Sequence, residues 1–157
     1  MACTSWSTPS SLIEKPSPVL IVLMWLSGES NQSETVTLFN DMCLLAPGTL
    51  LGPGISWEEV HDRSVRARFT NAGQTITAVL HFDENGLLAS FESDDRSRAS
   101  ADGRSFTRLR FITPVHDYRD FGVVRLAAFG EAQWMLPEGA FTYGEFHLEH
   151  VAYNARP

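Results

Sequence analysis

The chain predicts a mainly β (α+β) fold. A curved antiparallel sheet, a half-barrel meander of about 6–8 strands, wraps around one main α-helix at about residues 32–46. Three observations predict it. From Ile55 onward, apolar and polar residues alternate in short runs. Each run is bounded by Gly, Asn, Asp or Pro clusters of the kind that turn a chain. Only one stretch, Asn31 to Gly48, repeats its apolar residues at helical spacing. Strands with one apolar face need a cover, and a sheet with a single helix to offer must curl around it.

The N-terminal stretch MACTSWSTPSSLIEKPS, residues 1–17, is rich in Ser, Thr and Pro and predicts a loosely packed tail. Residues 18–157 then form one domain. Val19 to Leu26 is an unbroken apolar run of eight residues, far short of the roughly 20 that span a bilayer. Lys15 is the only positive charge ahead of it, Glu14 offsets that charge, and no A-x-A site follows. The run therefore predicts a buried strand rather than a signal peptide, and the balance favours a cytoplasmic location.

The helix reads NQSETVTLFNDMCLLAPG. Asn31 is placed as N-cap with Glu34 completing a capping box, and Ser33 is a rival cap. Val36, Phe39, Cys43 and Leu44 share one face, which Leu38, Met42 and Leu45 widen, so burial on more than one side is expected. Pro47 and Gly48 end it. In SVRARFT, Val65, Ala67 and Phe69 point one way and Arg66 and Arg68 the other. TITAVLHF puts Ile76, Ala78, Leu80 and Phe82 on one face. DENG, Asp83 to Gly86, makes a hairpin loop, and Leu87, Ala89 and Phe91 return inward. DDRSRASADGRS reads as a polar loop. FTRLRFIT, GVVRLAAFGEAQWML and FTYGEFHLEHVAYN complete the meander, with a bulge expected near Gly130.

Composition excludes some functions. Of 157 residues, 43% are hydrophobic and 20% charged, with a net charge of −7. Phosphate neutralisation needs clustered Lys and Arg, but Lys15 is the sole lysine and the arginines lie among acids, so no nucleic-acid partner is predicted. Cys3 and Cys43 form neither a disulfide framework nor a CxxC site.

HDYRD, residues 116–120, holds the ingredients of an acid–base site. Strand alternation splits it: His116, Tyr118 and Asp120 fall on one face, Asp117 and Arg119 on the other. EEVHDR, Glu58 to Arg63, reads as a polar turn, and an Arg among its acids disfavours a cation. Glu145, His147 and Glu149 form a row better explained as a solvated strand face than as metal ligands. H-E-x-x-H, G-x-S-x-G and a Gly-rich phosphate loop are all missing. No catalytic set, metal site or cofactor is predicted. The aromatic strands and the shortage of covering elements predict instead an uncovered concave surface for a small apolar ligand. Tyr118, Arg119, Glu131, Trp134 and Tyr143 are its candidate ligand contacts.

Two blocks, NQSETVTLFNDMCLLAPGTLL and TPVHDYRDFGVVRLAAFGEAQWMLPEGAFTYGEFHLEHVAYN, resemble a bacterial family of proteins of unknown function. Between them, R.A.FT..G.T..A.L.F...G.L..F.S.DR matches the same pattern, so the resemblance runs from about Val19 to Asn154. Its members carry further N-terminal strands, so this chain resembles a shortened member. The resemblance implies no activity. It implies an architecture similar to the half-barrels that carry lipids or lipoproteins, which is a fold-level analogy only. Three functions follow as expectations: a non-enzymatic module holding a small apolar or amphiphilic ligand such as a lipid, an enzyme using polar residues of the 116–147 region, or an interaction protein that forms a homodimer through an exposed sheet edge.

Overall fold

The computed structural model describes residues 28–153. The expected tail at 1–17 and the expected strand at 19–26 lie outside the described residues. Helix α1 spans Gly28–Leu45. It starts a turn earlier than Asn31, whose carbonyl instead accepts a hydrogen bond from the Thr35 hydroxyl at 2.8 Å. Ser33 caps nothing either: its Oγ accepts the Ser97 backbone N–H at 3.0 Å, tying the helix to a distant hairpin. A 3-10 turn, Pro47–Leu51, follows where proline ends the helix. Tyr153 donates its hydroxyl hydrogen bond to the Leu45 carbonyl, one of the groups a helix C-terminus leaves without a partner.

Among the described residues nine strands follow: β1 (Ile55–His61), β2 (Ser64–Asn71), β3 (Gln74–Phe82), β4 (Leu88–Ser93), β5 (Ser97–Ala99), β6 (Phe106–Arg108), β7 (Phe111–Asp120), β8 (Arg125–Leu136) and β9 (Gly139–His147). Seven form one open sheet in the order β1-β2-β3-β4-β7-β8-β9, and every neighbouring pair is antiparallel. The sheet must curve. Helix α1 touches β2, β3, β4 and β8. β2 and β8 are four places apart, roughly 19 Å in a flat sheet at about 4.8 Å per strand, whereas a helix is only about 10–12 Å across. The expected sheet wrapped around one helix is what forms.

The core lies on the concave side. Val36, Phe39, Cys43 and Leu44 of α1 are buried against Ala67 and Phe69 of β2, Ile76, Ala78 and Leu80 of β3, and Phe91 of β4. Phe39 is its centre, with ring centroids 4.9 Å from Phe69 and 5.9 Å from Phe91. Leu38, expected to widen the buried face, is 42% exposed, while Met42 and Leu45 pack against the core.

Three local expectations are corrected. Ala89 is the extra residue of a bulge, because His81 pairs with Ser90 while Phe82 pairs with Leu88. Leu88, not Leu87 or Ala89, is therefore the buried residue ahead of Phe91. The polar stretch after Asp94 is not a plain loop and FTRLRFIT is not one strand: β5 and β6 pair as a separate small hairpin, the main sheet resumes only at Phe111, and Arg108 of β6 pairs with Asp95 at the hairpin's base. The last strand stops at His147, so Glu149 has no place in a strand-face row.

Candidate functional site

A cavity of about 130 Å³ lies between α1 and the β7–β9 end of the sheet. Local sequence explains how each wall forms. Val36, Asn40 and Leu44 sit four residues apart, so one helical stripe carries Asn40 into the apolar interface. Phe111, Thr113 and Val115 alternate inward along β7, so Thr113 enters with its aromatic and aliphatic neighbours. On β8, Gly130 and Ala132 are small. A Cβ on Gly130 would stand 2.1 Å from Cζ of Phe146, so only glycine admits that ring in its present place. Leu44, Leu45, Phe111, Ala132 and Phe146 make the apolar walls.

The cavity has a polar part. Asn40 is 8% exposed and Thr113 1% exposed, and both line it. Among the described residues, Asn40 Oδ1 and Thr113 Oγ1 are buried side-chain atoms with no hydrogen-bond partner. Leaving such an atom unmatched costs on the order of 1–3 kcal/mol. Asp41 stands beside them, its carboxyl raised above the ordinary range by burial although Arg96 pulls the other way. The Arg96 guanidinium carbon is 4.2 Å from the Phe111 ring centre and 5.2 Å from that of Trp134. Its Nη1 donates to the Tyr143 hydroxyl at 2.6 Å, and Tyr143 stacks on Trp134 at 5.7 Å. Arg96 is thus a fixed cation at the cavity wall.

The structure does not bring the five sequence-predicted contacts together. Trp134 and Tyr143 lie on the concave side, Tyr143 in the cavity wall and Trp134 behind it as part of the Arg96 platform. Tyr118 is also concave, but it lines a different pocket of about 210 Å³ with Cys43, Leu50, Leu80 and Leu88, and donates to the Leu88 carbonyl at 2.9 Å. Burial pushes its phenol pKa up, and pushes the Cys43 thiol up to about 12. Glu131 follows the inward Gly130 and so faces the outer side. There it accepts hydrogen bonds from Gln133 at 2.7 Å and Thr142 at 2.8 Å, which hold its pKa below the usual carboxylate range. Arg119 is outside too, paired with Asp117.

HDYRD does not alternate as expected. Asp117 has φ of 59°, a left-handed conformation, and this kink reverses the parity of the strand. His116, next to the buried Val115, faces outward by plain alternation, its ring 4.5 Å from that of Phe129, which in turn lies 4.8 Å from His147. Tyr118 faces inward instead of sharing the His116 side.

Sequence reasoning missed Asn40, Asp41, Arg96 and Thr113. Two of them carried a signal: Asn40 interrupts an apolar helical stripe, and Thr113 an apolar strand face. Arg96 sits in a polar stretch with no such mark. Among the described residues, no group of three or more His, Cys, Asp or Glu could hold a metal ion. No helix among them is long and apolar enough to cross a membrane.

Residues 21–146 match the family of unknown function DUF6544. The chain belongs to DUF6544. The matched span contains α1, the whole sheet up to Phe146, and every residue that lines the cavity. Neither a curated protein nor a solved structure matches it. The DUF6544 match is the finding that the resemblance of the two sequence blocks had led one to expect.

Proposed function

We propose that this DUF6544 protein is a binding module that holds a small amphiphilic ligand in the cavity between α1 and strands β7–β9. One observation carries the reading: two deeply buried polar atoms without partners, Asn40 Oδ1 and Thr113 Oγ1, belong to residues that line the same largely apolar cavity. Folded proteins satisfy nearly all such atoms, and an unmatched pair in one cavity has the form of a site built for a guest. The volume of about 130 Å³ is close to the roughly 150 Å³ apolar cavity that accepts a benzene-sized molecule. The guest's buried part is then a single ring or a short chain. A lipid, as in the half-barrel analogy, fits only if most of its length remains outside.

An enzyme built on the 116–147 region needs its acids, His, Arg and Tyr on one side of the sheet. Arg119, Glu131 and His116 stand outside while Tyr118 and Tyr143 stand inside, so that reading has less support. The test is native mass spectrometry of protein purified without detergent, followed by titration with ring-sized probes. A retained or acquired guest of about this size supports the proposal. A clean apo mass together with no uptake of any probe sinks it.

A further inference from the structure

Resting on the reading of this cavity as a ligand site, we infer that the buried head of the ligand is an uncharged hydroxyl, as in a phenol or a small alcohol. The inference comes from what each unmatched atom needs. Asn40 Oδ1 is an acceptor and needs a donor. Thr113 Oγ1 can donate and needs an acceptor. A hydroxyl does both with one atom.

Charged heads meet opposition from the walls. An ammonium faces the Arg96 guanidinium, which is locked on its aromatic platform and cannot withdraw without losing Tyr143. A carboxylate faces the Asp41 carboxyl, whose own charge is already disfavoured by burial, and offers Asn40 Oδ1 no proton. Arg96 and Asp41 together leave the lining without a net charge, so no field selects an ion. A purely apolar guest fills the walls and leaves both polar atoms unmatched, at the cost of their desolvation.

The experiment titrates the full chain with four probes of matched ring size: phenol, toluene, benzoate and benzylamine, followed by calorimetry and by NMR shifts. Phenol is expected to bind about tenfold or more tighter than toluene, the step that one matched buried hydrogen bond gives. In Thr113→Val, which keeps the shape and loses the hydroxyl, that preference shrinks toward unity while toluene binding is retained. Asn40→Leu, of similar size, does the same and guards against a folding defect in either variant. If toluene, benzoate or benzylamine binds as tightly as phenol, or the preference survives in Thr113→Val, the hydroxyl head is overturned while the cavity stands. The first of these is also the result expected if ordered water already satisfies both atoms. If none of the four binds to protein whose native mass shows no retained guest, the cavity reading itself falls, and the head-group inference with it.

Discussion

At the scale of single residues, the cavity's polar atoms act against the stability of the empty protein. Thr113→Val removes an unmatched buried hydroxyl without changing the packing shape, so the apo protein is expected to gain about 1 kcal/mol in urea unfolding. A loss would mean that the hydroxyl is satisfied. Asp41 gives a second test. Its folded pKa lies above the ordinary aspartate value of 3.8 because burial outweighs the attraction of Arg96. The folded state therefore holds its proton longer than the unfolded one. Both states are protonated well below pH 3.8, where the group costs nothing. As pH rises through 3.8 and then through the raised folded value, the unfolded chain ionises first and stability is lost. Asp41→Asn is thus expected to be more stable than the parent at pH 7, with the gain vanishing on acidification below that value. A gain independent of pH would mean burial of Asp41 is not the cause. Gly130→Ala brings a Cβ to 2.1 Å from the Phe146 ring and is expected to cost on the order of 1–3 kcal/mol by overpacking. Little of this was legible in advance. Asp117 shows why: its left-handed backbone turns the following Tyr118 to the concave face, and alternation read from sequence assumes an unbroken pleat.

At the scale of elements, the hairpin β5–β6 is the piece that sequence pattern could not supply. β5 is three residues long, too short for alternation to stand out among Ser, Asp and Arg, and β6 falls within FTRLRFIT, which reads as one strand running into β7. It is held by long-range links instead: the Ser97 N–H to Ser33 of α1, and Arg96 on the rings of Phe111 and Trp134 with its bond to Tyr143. Replacing Arg96 by Ala removes the cation–π contacts, worth about 0.5–2 kcal/mol, together with that hydrogen bond. The expected result is faster amide exchange at Ser97 and Ala99, with β2 and β3 unchanged. Arg96→Lys restores the charge but not the planar stack, so recovery stays partial. Unchanged exchange in Arg96→Ala would show that the hairpin stands on its own pairing. The long elements were legible because they carry a repeated pattern: β2 and β3 alternate without fault, and α1 repeats its apolar residues over several turns. Its start was not legible, because Ser33 spends its hydroxyl on a partner 64 residues away.

At the scale of the whole molecule, the sheet's curvature follows from scarcity: one helix has to serve strands that a flat sheet would hold apart. That makes α1 the shared wall of the described fold. Phe39 is 0% exposed and meets rings from β1, β2 and β4. From Phe91 the ring contacts continue to Phe111, Trp134 and Tyr143, so one aromatic chain crosses from β1 to β9. A core connected in this way has no seam at which half of the sheet could separate. The protein is expected to unfold as one cooperative unit, with far-UV and near-UV circular dichroism giving the same midpoint. Phe39→Ala is expected to lower that midpoint by the equivalent of about 3–5 kcal/mol while keeping the two signals coincident. Two separated transitions, or a near-UV signal lost well before the far-UV one, would mean that the β7–β9 end with its cavity is a weaker unit than the β1–β4 end.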